Sequence, residues 1–173
     1  MKDYWLAKLI SSVTEVDSRK RLQKSIYLLQ LAGCPLRCDY ILHYYGPYSF
    51  ELAGLIDQLE GAKIIEETPK QLARGVVQYK SVITDKGKSA LSSFEKTKVG
   101  RCTLGKIQPF ISRFIALNAE DSWVLELAAT VAYFHEDDWT KAISQTANFK
   151  HVLAGSTNLK KAEELARSFE RIV

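Results

Sequence analysis

The spacing of apolar side chains divides the chain into segments with distinct periods. Trp5, Leu6, Leu9, Ile10 and Val13 recur at helical intervals and predict a first helix, capped by Asp3 and running to about Val16. Ser18 opens a second helix, with Leu22, Ile26 and Leu29 on its apolar stripe and Gly33 in the C-cap position. Pro35 prevents its continuation. A short apolar stretch from Tyr40 to Tyr45 leads into Gly46-Pro47, and Ser49 is the N-cap of a third helix carrying Leu52, Leu55, Ile56 and Leu59. Two β-prone runs follow, Lys63 to Glu67 and Val76 to Thr84, joined by polar residues around Pro69 and Gly75, which predicts a hairpin. Thr84-Asp85-Lys86-Gly87-Lys88 starts a fourth helix.

The order helix, helix, helix, hairpin, helix predicts a winged helix-turn-helix over residues 1–98. The polar, basic segment from Lys96 to Lys106, with Gly100 and Gly105, is read as a boundary. A helical extension packed on the first part is expected over 107–173, with helices at Ile107–Ala116, Asp121–His135, Trp139–Ala147 and Asn158–Ile172. The second of these has so broad an apolar face that it should lie buried between others. The fold class is therefore mainly α with a small β-hairpin.

Composition adds little to this picture and charge placement adds more. The 173 residues are 46% hydrophobic and 25% charged, which suits a folded domain. The net charge of +4 hides an asymmetry. Residues 63–106 hold ten basic and four acidic residues, whereas residues 107–173 hold seven basic and nine acidic. Clustered cations suit a polyanion. The expected phosphate contacts are Lys70 and Arg74 at the hairpin tip, with Arg19, Lys20, Arg21 and Lys24 at the start of the second helix. The third helix argues against base reading, because it offers Glu51, Asp57 and Glu60 with Gln58 alone as a neutral reader. Ordinary solvation of scattered surface cations is the plainer alternative.

A protein-docking role competes with nucleic-acid binding. Tyr44, Tyr45, Tyr48, Phe50 and Glu51 would then form the partner surface, although a tyrosine-rich Gly-Pro turn is more often a packed junction. Duplex DNA, a protein partner or a second copy of the chain all stay open as partners, and no effector is indicated.

No catalytic residue, cofactor or metal site is expected. Gly33-Cys34-Pro35-Leu36-Arg37-Cys38 is similar to the start of a radical-enzyme iron–sulfur loop, but the third ligand position is Ile41. The cysteines are expected to pack inward as free thiols. His135-Glu136-Asp137-Asp138 carries metal-capable side chains that point in different directions at a helix end. His43 lies in an apolar stretch, where a hydrogen-bonded junction residue is the simpler expectation than a general base. No run approaches the roughly 18 apolar residues of a membrane span, and Met1-Lys2-Asp3-Tyr4 leads straight into a helical pattern, so a cytoplasmic protein without membrane attachment is expected.

Three motifs carry a resemblance: Arg21-Leu22-Gln23-Lys24-Ser25-Ile26-Tyr27-Leu28-Leu29-Gln30, His43-Tyr44-Tyr45-Gly46-Pro47-Tyr48-Ser49 and Ile83-Thr84-Asp85-Lys86-Gly87-Lys88. Through them, and through Leu125-Glu126-Leu127-Ala128-Ala129-Thr130, the chain resembles the YwgA-type family of prokaryotic proteins, with a looser likeness to the antitoxin-like Panacea domain. The Thr-Asp-Lys-Gly-Lys motif is shared with winged-helix regulators of the MarR kind. The resemblance implies a prokaryotic winged helix and brings no catalytic residues with it. The resulting expectation is a non-catalytic nucleic-acid-binding or transcription-type regulator; the alternative is an interaction module of antitoxin or defence type.

Overall fold

Hydroxyl side chains at the predicted helix starts decide most of the architecture. A computed structural model describes residues 1–170, apart from the side chain of Arg74. The first helix, α1, spans Lys2–Ile10. Asp3 lies inside it rather than capping it, and it stops well short of Val16 because Ser11 and Ser12 turn their hydroxyls back onto the carbonyls of Lys8 and Leu9. Val16 instead forms an antiparallel bridge with Ser81, with two backbone hydrogen bonds of 2.9 Å.

Helix α2, Arg19–Leu31, starts where expected, with Ser18 Oγ accepting from the Arg21 N–H at 3.1 Å. It ends at Gly33, whose φ of +96° suits the residue after a helix. The stretch expected only to be apolar and connecting is a second small hairpin, β1 (Ile41–His43) and β2 (Gly46–Tyr48). Ser49 caps α3, Phe50–Gly61, through the Leu52 N–H. Strands β3 (Ile65–Gln71) and β4 (Val77–Ile83) pair antiparallel from Ile65 opposite Ile83 to Gln71 opposite Val77, with a short 3-10 turn at Ala73–Gly75. Thr84 then caps α4, Asp85–Glu95, through the Gly87 N–H.

The expected boundary at 96–106 is not an irregular linker. It belongs mostly to α5, Lys98–Ala119, a helix entered through another hydroxyl cap, Thr97 Oγ1 to the Gly100 N–H. Its polarity misled because this turn of helix is largely exposed. Gly100, which looked like a breaker, is required by packing: a Cβ there would lie 1.9 Å from the Phe94 carbonyl oxygen. Pro109 sits inside α5 and forgoes one helical hydrogen bond. The chain closes with α6 (Ser122–Phe134), α7 (Trp139–Lys150) and α8 (Thr157–Arg167). The expected end of the last helix, Ile172, lies outside the described residues.

Among the described residues the protein is thus mainly helical, with two small antiparallel strand pairs. Helix α6 is buried along most of its length and packs against α2, β2, α7 and α8. Leu125, Leu127 and Val131 on it are essentially inaccessible, each contributing about 1.5–3 kcal/mol by burial. One buried apolar cluster runs from Leu6 to Phe169 and joins the two parts of the chain. No described helix is long and apolar enough to cross a membrane.

Candidate functional site

The site is organised where α2, the β1–β2 hairpin and α6 meet. Gln23 on α2 clamps the residue that caps α3: its amide nitrogen donates to the Ser49 carbonyl at 2.9 Å and its oxygen accepts from the Ser49 N–H at 2.8 Å. The next residue, Lys24, donates through Nζ to the Pro47 carbonyl at 2.6 Å. Gly46 brings β2 onto α6 so closely that a Cβ would sit 2.6 Å from Thr130 Oγ1, and its φ is +86°. Only glycine fits both demands.

Beneath the hairpin, Glu126 stands alone as the charged residue of an otherwise apolar α6 run, and its side chain is 3% exposed. Lys20 Nζ reaches it at 2.9 Å and Lys150 Nζ, from α7, at 2.5 Å. Lys150 also donates to the Tyr44 carbonyl at 3.1 Å, tying the hairpin turn to α7. Three lysines therefore surround one carboxylate, counting the buried Lys24. Burial pushes the Lys24 amine down to about 7; Glu126 works against that shift, while Lys150 and Lys20 reinforce it.

This geometry revises the expected phosphate contacts. Arg21 is interior, 7% exposed, and its Nη1 donates to the carbonyls of Leu117 (3.1 Å) and Glu120 (2.7 Å). It neutralises the C-terminal end of α5, where a cation is favoured by the helix dipole. Lys24, 2% exposed, is interior as well, so neither side chain stands on an outer surface. The sequence displayed their charge; the burial of α2 on α5 and α6 turned them inward. Arg19 is forked onto Glu67 and bonded to Asp57 at 2.7 Å, an arrangement that joins α2, α3 and β3 and raises its already high pKa, chiefly through the Glu67 bond. Lys20 keeps its partner Glu126 and lies over the Tyr45 ring at 5.9 Å. Lys70 is exposed on β3, and the side chain of Arg74 lies outside the described residues.

The tyrosine-rich turn also departs from the packed-junction expectation. Tyr44, Tyr45 and Phe50 are 75%, 54% and 69% exposed, and Tyr48 is half-buried. Their rings meet edge to face, Tyr44 with Tyr45 and Tyr48 with Phe50, each pair at 5.1 Å. His43 is exposed beside Tyr48 rather than bonded in a junction. Glu51 pairs with Lys2, a hydrogen bond that holds its carboxyl below the usual range. The reason is local: the two-residue turn at Tyr44-Tyr45 is exposed, while the following Gly46 and Pro47 are buried, Gly46 against Thr130 of α6.

No family model matches the chain. The chain is similar to the uncharacterised protein YwgA of Bacillus subtilis (strain 168), at 32% identity over 130 residues, 75% of this chain and 72% of that relative. The chain belongs to the YwgA family. In this YwgA-family protein Cys34 and Cys38 are buried free thiols, each pushed up to about 11 chiefly by burial, and Cys102 is exposed. Among the described residues no group of three or more His, Cys, Asp or Glu side chains gathers as for a metal ion.

Two features escaped sequence reasoning. Glu126 carried a legible signal, since a lone carboxylate in an apolar helix needs a partner. Lys150, its partner, carried none. The segment from Val76 to Tyr79, at the start of β4, lines a cavity with α2 and β1–β2, which its hairpin pattern does not signal.

Proposed function

We propose that this YwgA-family protein is a non-catalytic protein-interaction module built on a winged helix, whose docking face is the aromatic hairpin together with the outer side of α3. The observation that carries the reading is the exposure of Tyr44, Tyr45 and Phe50 in one continuous patch. Large aromatic rings held rigidly at the surface supply contact area at little entropic cost, which is why they are enriched at interfaces. Glu51, Asp57 and Gln58 are exposed along α3, and the helix bears no cation. Glu51 and Asp57 are already held by Lys2 and Arg19, so it is the exposed tyrosine faces that commit the partner to a protein surface rich in arginine or lysine, whose side chains stack on them.

Support for the winged helix comes from element order and from the Val16–Ser81 bridge, which adds a third extended segment beside β4. The connection between α2 and α3 departs from the plan, because residues 32–49 with their own hairpin replace a turn of roughly three or four residues.

The test is affinity capture from the native cell, with the wild type beside a Tyr44→Ser, Tyr45→Ser, Phe50→Ser variant. A captured protein should cross-link to β1–β2 and α3 through a basic surface and be lost with the variant. Capture of nothing, or equal capture by the variant, would defeat the reading.

A second reading, nucleic-acid binding, is favoured by the exposed Lys63, Lys70, Lys86, Lys88, Lys96, Lys98, Arg101 and Lys106. It relies on these rather than on the start of α2. Titration of duplex DNA at low salt, where phosphate contacts are strongest, tests it. Charge reversal at Lys70 and Arg74 should then weaken binding, and unchanged affinity would remove the hairpin tip from the contact.

A further inference from the structure

Between the start of α2, the β1–β2 hairpin, α3 and β4 lies a cavity of about 360 Å³. That volume falls within the roughly 300–1,000 Å³ of small-molecule sites. Its chemistry is one-sided. Arg19, Lys20 and Lys24 all line it, and among the described residues that do so none is acidic. The nearby carboxylates are already engaged, Glu126 by Lys20 and Lys150 and both Glu67 and Asp57 by Arg19, whereas the hydrogen bond of Lys24 goes to a carbonyl.

Lys24 is the deciding group. It is 2% exposed, lines the cavity, and uses one donor on the Pro47 carbonyl at 2.6 Å, leaving two further N–H donors on its ammonium. With all groups ionised, the buried side chains of Lys24 and Lys150 and the partly exposed Lys20 leave an excess of two positive charges around one buried carboxylate. Such an excess is costly unless an anion joins it. Burial above all, with smaller contributions from the charges of Lys150 and Lys20, holds the Lys24 amine down to about 7 against Glu126, so an anion in the cavity would favour its charged form. The N-terminal end of α2 borders the same space and favours negative charge.

The remaining walls differ in kind. Ile56, Val76 and Val77 are apolar, and Tyr45 and Tyr79 present rings at the mouth, where Lys20 and Arg19 lie over them at 5.9 and 5.8 Å. A flat apolar body would fit among these walls while its charged end reached the cations.

We propose that this cavity binds a small organic anion consisting of a planar aromatic ring and one carboxylate or phosphate head, with Lys24 and Lys20 meeting the head and Tyr45, Tyr79 and Val77 flanking the ring. The inference goes beyond the docking face and does not rest on it, since binding in the cavity requires no protein partner.

Isothermal titration calorimetry on the full chain tests it, with 2-naphthoate and AMP as the two sources of the shared chemistry. The expected result is saturable binding of at least one of them. The uncharged counterpart, 2-naphthamide or adenosine, should bind at least about tenfold more weakly, in line with loss of a charge-assisted hydrogen bond. Inorganic phosphate alone should bind similarly weakly, because it lacks the ring. Lys24→Met should lower affinity by at least about tenfold, and Lys20→Gln, at a more accessible position, keeps the test decisive if the first variant fails to fold. The proposal is overturned if neither anion binds, if the neutral counterpart or phosphate binds as tightly as the anion, or if both folded variants keep wild-type affinity.

Discussion

Replacing Glu126 by glutamine removes the one carboxylate from a cluster of three lysines, two of them with buried side chains and Lys20 partly exposed, while preserving size and hydrogen-bonding shape. In the wild type its oxygens accept from Lys20 at 2.9 Å and Lys150 at 2.5 Å, and its side chain is 3% exposed, as is fitting for a charge paired on both sides. After Glu126→Gln the side chain can still accept through its amide oxygen but carries no charge, so Lys20 and Lys150 lose their counter-ion and Lys24, bonded to the Pro47 carbonyl, loses the nearby negative charge. Removing one partner of a buried ion pair costs about 3–5 kcal/mol, because the remaining charge stays desolvated. For a chain of this size that is a fall of about 6–20 °C in melting temperature, at about 2–4 °C per kcal/mol. The loss should also depend on pH in a definite sense. Glu126 supports the protonated form of Lys24, so its removal matters most where Lys24 is charged, below about pH 7, and less as the amine sheds its proton. Urea unfolding followed by tryptophan fluorescence at about pH 6 and about pH 9 measures both. Adding Lys24→Met to Glu126→Gln should recover at least about 1 kcal/mol, since one unpaired buried cation is gone. A melting temperature within about 2 °C of wild type, or a loss that grows with pH, would refute the electrostatic account of this cluster.

Lys24→Met alone should flatten the pH dependence of stability. The folded-state pKa of Lys24, about 7, lies below the unfolded value, so its penalty is full below about pH 7 and is relieved as pH rises toward about 10.4, by up to about 1.4 kcal/mol per unit. Thermal melts across that range check the slope. Gly46→Ala should cost about 1–3 kcal/mol, because a side chain at φ +86° is strained and its Cβ meets Thr130 Oγ1; chemical denaturation reads the loss. Tyr44→Ser and Phe50→Ser should change stability by no more than about 0.5 kcal/mol, since both rings are mostly solvated; a larger loss by the same measurement would mean that they pack more tightly than their exposure indicates.

Local chemistry was legible wherever the chain carries its own instruction. Ser49 caps the helix it is expected to cap, and Ser18 and Thr84 cap the helices expected to start at them, since a hydroxyl and the first-turn N–H groups are neighbours in sequence. The β3–β4 hairpin was readable from two β-prone runs and a polar connection. Thr97 is the same kind of cap, yet the basic, glycine-bearing segment after it was read as a boundary, because the fit of Gly100 against the Phe94 carbonyl depends on how α5 meets α4.

The sequence by itself determined where most helices begin, the acidic character of α3, the aromatic turn and the membership in the YwgA family. Only the tertiary structure decided what its charges do. Arg19, Lys20, Arg21 and Lys24 are close together in sequence and alike in chemistry, but a helix turns successive residues by roughly 100°. Arg21 therefore meets the end of α5, Lys24 the carbonyl of Pro47, Lys20 the carboxylate of α6, and Arg19 the carboxylates of α3 and β3. A charge run records only sign and spacing. Burial and partners depend on helices far away in the chain, and these turned an expected outer phosphate surface into two interior cations, Arg21 and Lys24, and two partly exposed ones already paired with carboxylates, Arg19 and Lys20.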